Sequence, residues 1–243
     1  MNILIVCHAG KRMGLGHLKR SIVVAHSMKK KFDADVSFLV QGDSIKNDYL
    51  SDFKYQTFEV NKDLSAKIRQ QVVALDIQII IFDLYAELVT VDFDGLLSEL
   101  KKMNCKLISI DGLVNYHNNL DLIFIPSFYF SSRSNLKVDI PVVFGWDCYL
   151  INTNKTQIDW EQGKRVLVLT GGSDTTNLGK TLPSQFNDVL AEDTELNWVT
   201  GPFADKPVFP KNNKFKIINH QAPSALDELM IKSNYALTVF GVS

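Results

Sequence analysis

A chain of 243 residues, 46% hydrophobic and 22% charged, can bury a sizeable core and falls between one large domain and two modest ones. Its 26 Lys and Arg against 27 Asp and Glu leave a net charge of −1, so no chain-wide positive field exists to attract a nucleic-acid backbone. Three scattered cysteines (Cys7, Cys105, Cys148) with no CxxC pair argue against a disulfide framework or a zinc knuckle, and no apolar run approaches the ~18 residues of a membrane span.

The chain enters at once into the apolar run Asn2 to Cys7, too short for a secretory core and without a basic flank, so a cytoplasmic protein is expected. A glycine-containing loop, Ala9 to Gly16, follows, and then a helix beginning near His17. Leu18, Ile22, Ala25, Met28 and Phe32 recur there at helical spacing, with Lys19 and Arg20 largely off that face, and Lys29 to Lys31 suit the negative end of the helix dipole. Short Ile, Val and Leu-rich segments then alternate with helical patterns, as in a buried parallel sheet with crossover helices. Strands are predicted at 36–40, 56–60, 78–83, 106–111, 122–125 and 142–144, with helices around 43–50, 62–75 and 87–103.

These elements make one α/β domain over residues 1–150, and the polar, aperiodic stretch 151–164 reads as a linker. A second strand, glycine loop and helix pattern then starts. Its strand is Arg165 to Leu169, its loop Thr170 to Asp174, and its helix spans about 177–191. Strands near 195–200, 215–218 and 235–239 and a helix over 223–233 complete it.

In open α/β sheets, ligands gather at the carboxyl ends of the strands. Gly14, Gly16 and His17 lie in the first such loop. The glycines allow close backbone approach, and a helix N-terminus offers amides to an anion while disfavouring imidazolium, which suits a neutral histidine acting as a general base. The same spacing also fits a histidine that merely starts the helix after a tight turn. Neither a dinucleotide fingerprint nor a P-loop is present: Lys19 stands where GxGxxG needs glycine, and Gly10-Lys11 is followed by Arg12. Asp83 and Tyr85 follow the strand 78–83. A carboxylate ending a buried strand must bind or cap something, and capping a local turn is the competing account. Asp111, before Gly112, is either a turn residue or a polar group facing the cleft. In the second half, Gly171, Gly172, Ser173 and Asp174, and then Gly241 and Ser243, suit close approach of a diphosphate or form ordinary turns. His8, His26, His117 and His220 form no HxH or HExxH spacing, so no metal site and no cofactor are expected.

Six motifs occur in order: Gly14-x-Gly-His-x-x-Arg20, Ile81-Phe-Asp-x-Tyr85, Ile108-Ser-Ile-Asp111, Gly145 to Ile151, Leu169 to Leu178, and Asn234 to Ser243. Together they resemble the PseG/SpsG group of nucleotide-sugar enzymes of pseudaminic acid and spore-coat polysaccharide biosynthesis, itself similar to MurG-type glycosyltransferases. The resemblance implies a GT-B-like fold of two Rossmann-like parallel-sheet domains. The first would hold the sugar, and the second the nucleotide of a UDP-linked deoxy-amino sugar, which is hydrolysed to free sugar and UDP. It maps the catalytic base onto His17, the sugar side onto Gly14, Gly16, Arg20, Asp83, Tyr85 and Asp111, and the nucleotide side onto Gly171, Gly172, Ser173, Asp174, Gly241 and Ser243. Departures fall on the sugar side. Cys7 to Arg12 replaces the group's Arg-x-Asp element, Asp83-Leu84-Tyr85 replaces Asp-His-Tyr, and Gly112 stands where a second Asp is common. Transfer to a glycan or lipid acceptor is the alternative reading, and a non-catalytic binding module the third. The oligomeric state is left open. Residues 165–243 fall short of the ~100–150 typical of a domain and stop at the loop Gly241 to Ser243, so the second domain is read as truncated.

Overall fold

The computed structural model describes residues 1–45, 47–60, 62–89, 92–126, 139–150, 159–223 and 226–238. Contacts divide the chain into two compact units, one of Met1–Ala9 with Gly16–Asn152, the other of the loop Gly10–Leu15 with the chain from Thr153. Of the expected linker, residues 151–158 lie outside the described residues, and 159–164 run to the next strand without regular structure.

The first unit is built on strands β1 (Asn2–Ala9), β2 (Asp35–Gly42), β3 (Lys54–Phe58), β4 (Ile79–Asp83), β5 (Lys106–Ile110), β6 (Leu122–Ile125) and β7 (Val142–Phe144). They form one sheet in the order β3-β2-β1-β4-β5-β6-β7, with every pair parallel. The chain runs outward from β1 through β2 to β3, then returns to the other side of β1 as β4. The order therefore reverses between β1 and β4, which is where such sheets open a crevice at their carboxyl ends.

Helices α1 (Gly16–Phe32), α2 (Leu64–Ala74) and α3 (Phe93–Lys102) cover the sheet. Strand alternation assigns the faces. Leu4, Val6, Ile80 and Phe82 join Ile68 and Val72 of α2 and Phe93, Leu96, Leu97 and Leu100 of α3 in one core. The opposite face of β1 and β4 carries Cys7 and Asp83, which are register partners, beneath α1.

Several elements differ from the sequence expectation. The first strand continues through His8 and Ala9, which are completely buried. The expected helix at 43–50 is a single 3-10 turn, Asn47–Leu50. The helix expected from residue 87 starts at Phe93 after a separate turn over Ala86–Leu88. On α1 the buried stripe is His17, Leu18, Arg20, Ser21, Val24 and Ala25, whereas Phe32, expected in the core, is 60% exposed. The helix is rotated toward its polar N-terminal residues because those have a buried partner in Asp83.

The second unit holds β8 (Arg165–Leu169), β9 (Glu195–Thr200), β10 (Lys216–Gln221) and β11 (Tyr235–Thr238) in the parallel order β10-β9-β8-β11. Its order reverses at β8. The helix expected over 177–191 is broken into α4 (Leu178–Thr181), a 3-10 turn and α5 (Phe186–Val189), because Pro183 has no N–H to donate and its ring crowds the preceding turn. Helix α6 (Leu226–Lys232) precedes β11. Trp198 centres the core, with Phe209 at 5.8 Å and Phe186 at 6.4 Å in edge-to-face contact. Among the described residues no helix is long and apolar enough to cross a membrane.

Candidate functional site

The loop ahead of α1 folds back on itself: Gly10 and Gly14 exchange backbone hydrogen bonds of 3.0 and 2.7 Å. Gly14 has φ 73°, a conformation that costs a side-chain-bearing residue about 1 kcal/mol or more. This turn brings the chain to Gly16, the first residue of α1, and so sets His17 in the first helical turn above β4.

At that point His17 Nδ1 lies 2.6 Å from Asp83 Oδ1. Asp83 is fully buried, and its two oxygens also accept from Arg20 Nη2 at 2.5 Å, Arg20 Nε at 2.7 Å and Ser21 Oγ at 3.2 Å. Burial alone would raise the Asp83 pKa. The hydrogen bonds of Arg20 and His17, with the Arg20 charge, outweigh it and hold the carboxyl below its ordinary value. An ionised Asp83 has no proton to give, so the bond to His17 is made by Nδ1–H. The 3.1 Å approach of Arg20 Nη2 to the same Nδ1 is then a contact between two donors, and in the neutral ring Nε2 is the unprotonated nitrogen. It makes no hydrogen bond among the described residues, and His17 keeps 5% of its surface exposed.

Arg20 links this pair to β5. Its Nη1 donates to Asp111 Oδ2 at 3.0 Å, and the Asp111 side chain is 29% exposed. Burial opposes the guanidinium charge, but Asp83 and Asp111 together hold its pKa above the ordinary value. Asp111 adopts φ 65°, and Gly112 beside it has no room for a side chain, since a Cβ there would stand 2.8 Å from the Leu84 carbonyl oxygen. Asp111 is thus both a turn residue and a polar group at the strand ends. Tyr85, half-buried, presents its ring edge-to-face to His17 with centroids 6.5 Å apart.

The first unit therefore brings His17, Arg20, Asp83, Tyr85 and Asp111 to one end of the sheet, at its switch point. Asp83 is enclosed and saturated, and it holds His17 and Arg20 instead of facing a ligand. Composition and spacing gave no hint of Ser21 or Gln41, and they undervalued His8. His8 sits on the other face of β1, where Tyr85 N–H donates to its Nδ1 at 2.8 Å and its Nε2 lies 3.1 Å from Gln41 Oε1. The two histidines are therefore opposite tautomers, Nδ1–H for His17 and Nε2–H for His8. The only sequence signal for His8 was its place at the carboxyl end of β1.

In the second unit, Gly171 (φ 82°) and Gly172 follow β8 at that sheet's reversal. Ser173 follows them. Asp174 caps α4, its oxygens accepting the Leu178 and Gly179 amides at 2.9 and 2.7 Å, so its side chain serves the local turn. Gly241 and Ser243 lie outside the described residues. No cluster of three His, Cys, Asp or Glu able to hold a metal ion occurs among the described residues.

Two units, each a Rossmann-like parallel sheet with a glycine-containing loop at its switch point, define a GT-B-like α/β fold. Solved structures share it. The chain matches Arabidopsis thaliana UGT89C1 complexed with UDP-L-rhamnose at 13% identity and a TM-score of 0.56, over 98% of this chain and 74% of that one. It matches a Listeria monocytogenes protein assigned as a UDP-N-acetylglucosamine 2-epimerase at 12% identity and 0.53, over 99% and 75%. For the UDP-GlcNAc 2-epimerase from Methanocaldococcus jannaschii the values are 14% and 0.50, over 98% and 78%. At these identities the likeness is one of fold. No protein-family model matches the sequence, and no curated protein sequence matches it.

Proposed function

We propose that this chain is a nucleotide-sugar-utilising enzyme in which His17 is the general base, and that it hydrolyses a UDP-linked deoxy-amino sugar to the free sugar and UDP. The observation that carries this reading is the His17–Asp83 pair, whose 2.6 Å bond fixes the tautomer that leaves Nε2 as an acceptor at the sheet's switch point. Nε2 takes a proton from water as the water oxygen bonds to the anomeric carbon. The bond from that carbon to the diphosphate oxygen breaks, and its electron pair leaves with UDP. Asp83 stabilises the imidazolium so formed, while Arg20 keeps Asp83 ionised and oriented. On this reading Gly14, Gly16, Tyr85 and Asp111 are assigned to the sugar, and Gly171, Gly172 and Ser173, in the loop after β8, to the diphosphate. UDP-linked ligands and substrates in the names of the fold's neighbours support the nucleotide-sugar class.

Transfer is the second reading, supported by the glycosyltransferase among those neighbours. A sugar or lipid hydroxyl would replace water at the same Nε2, with no other change in the geometry.

The test is UDP release from a panel of UDP-sugars, with and without acceptor, by the protein and by His17→Ala. Acceptor-independent release that falls by roughly 10² to 10⁴ in His17→Ala supports hydrolysis. Release only with acceptor supports transfer, and turnover equal in the two proteins removes His17 as base.

A further inference from the structure

The mechanism above makes no use of His8, yet this side chain is fully buried, and both ring nitrogens are committed. A histidine at the end of a buried strand on an apolar face is costly unless its polar atoms are satisfied, and leucine would fill the same space without that requirement. Its bonds run outward to functional loops. Nδ1 accepts the Tyr85 amide at 2.8 Å, two residues beyond Asp83. Nε2–H donates to Gln41 Oε1 at 3.1 Å, and Gln41 Nε2 in turn donates to the carbonyls of Val60 at 3.2 Å and Lys62 at 3.0 Å. The carboxyl ends of β1 and β2 and the segments after β3 and β4 are thereby joined through one imidazole and one carboxamide.

We infer that His8 is a positioning residue for Tyr85: it fixes the backbone of that residue, and hence the ring that stands edge-to-face to His17, through a relay that Gln41 of β2 ties to the β3–α2 loop. Asp83 holds His17 from the α1 face of the sheet, and His8 holds Tyr85 from the opposite face. This inference rests on the reading that Tyr85 lines the sugar site. The relay itself does not depend on that reading. An acceptor near the Nδ1 position is what the Tyr85 amide requires, so asparagine can substitute there and leucine cannot.

The experiment compares His8→Asn with His8→Leu by hydrogen exchange at the Tyr85 amide and by KM and kcat for UDP-sugar turnover. His8→Leu is expected to speed exchange at Tyr85 about tenfold or more and to raise KM by a similar factor with kcat little changed, as loss of a buried hydrogen bond would. His8→Asn is expected to stay within about threefold of the parent on both measures. If His8→Leu does not fold, Gln41→Leu takes its place, because it leaves the ring but frees its anchor, and it is expected to loosen the same amide. Unchanged protection at Tyr85 overturns the relay whatever the substrate proves to be. Faster exchange with unchanged KM overturns the positioning role. Absence of turnover in the parent protein fails the proposed reaction and with it that role, and leaves the exchange result to decide the relay.

Discussion

Asp83, the last residue of β4, and Asp111, the first after β5, share one guanidinium: Arg20 grips Asp83 with Nε and Nη2 at 2.7 and 2.5 Å and reaches Asp111 with Nη1 at 3.0 Å. Asp83 and Asp111 therefore compete for one cation. Under the proposed function, the carboxylate not balanced by Arg20 offsets the charge that His17 takes on when it removes a proton from water.

Removing the shared cation exposes how the cluster is balanced. Arg20→Met should destabilise the protein by about 3–5 kcal/mol, because it leaves Asp83 buried and ionised without its main partner. Arg20→Met combined with Asp83→Leu should recover part of that loss, since the orphaned charge is gone. Urea denaturation of the two single variants and the double variant checks it, and additive effects would contradict a coupled pair.

Asp83→Asn separates orientation from charge. The amide NH2 donates where the carboxylate accepted, so Nδ1 of His17 becomes the acceptor and Nε2 carries the proton, which is the wrong tautomer for a base. UDP-sugar turnover should fall by roughly 10² to 10⁴, close to the loss in His17→Ala, and combining the two substitutions should add little. A much larger loss in the combined variant would mean that Asp83 acts on something other than His17.

How much of this was legible beforehand differs between residues. The parallel sheets, the switch-point loops and the gathering of His17, Asp83, Tyr85 and Asp111 at one end follow from apolar runs that end in glycine or a carboxylate. The α1 face did not follow, because a periodicity read from apolar residues alone cannot see that Arg20 and Ser21 are buried by a carboxylate 63 and 62 residues downstream. The break in the helix after Asp174 has a sequence signal in Pro183, but the apolar spacing on either side of it is that of a continuous helix. His8 was hidden for a different reason: its partners Gln41 and Tyr85 are polar or backbone groups that no spacing rule connects to it.

Acid should reach His8 before it reaches Asp83. Burial, only partly offset by the Gln41 hydrogen bond and the Asp83 charge, lowers the His8 pKa from 6.5 to about 4, with His17 adding slightly to the fall. The unfolded chain thus binds a proton at His8 below about pH 6.5, while the folded chain refuses it until about pH 4. Stability from this residue is complete above the first value and falls through the window at about 1.4 kcal/mol per pH unit, for a total of about 3 kcal/mol. The depressed Asp83 contributes its own loss only below its ordinary carboxyl range. Denaturation midpoints followed from pH 7 to 4 should decline in the parent and flatten in His8→Asn. Parallel slopes would show that His8 titrates normally.

The second unit offers a probe of its own loop. Gly201 follows β9, and a Cβ placed on it would meet the carbonyl oxygens of Gly171 and Gly172, far inside contact distance and with only backbone to yield. The Phe203 amide donates to that same Gly172 carbonyl at 3.0 Å, so the two loops are tied where the side chain would intrude. Gly201→Ala must push the 171–172 turn away from β9, at a cost of about 1–3 kcal/mol for overpacking. Under the proposed function the displaced turn is the diphosphate side, so UDP affinity should fall while hydrogen exchange at His17 and Tyr85 stays unchanged. Gly171→Ala should also weaken UDP binding, through backbone strain at φ 82° and with no steric contact to relieve. Parent-like UDP affinity in both variants would remove the 171–173 loop from the nucleotide site, whatever role His17 keeps in the first unit.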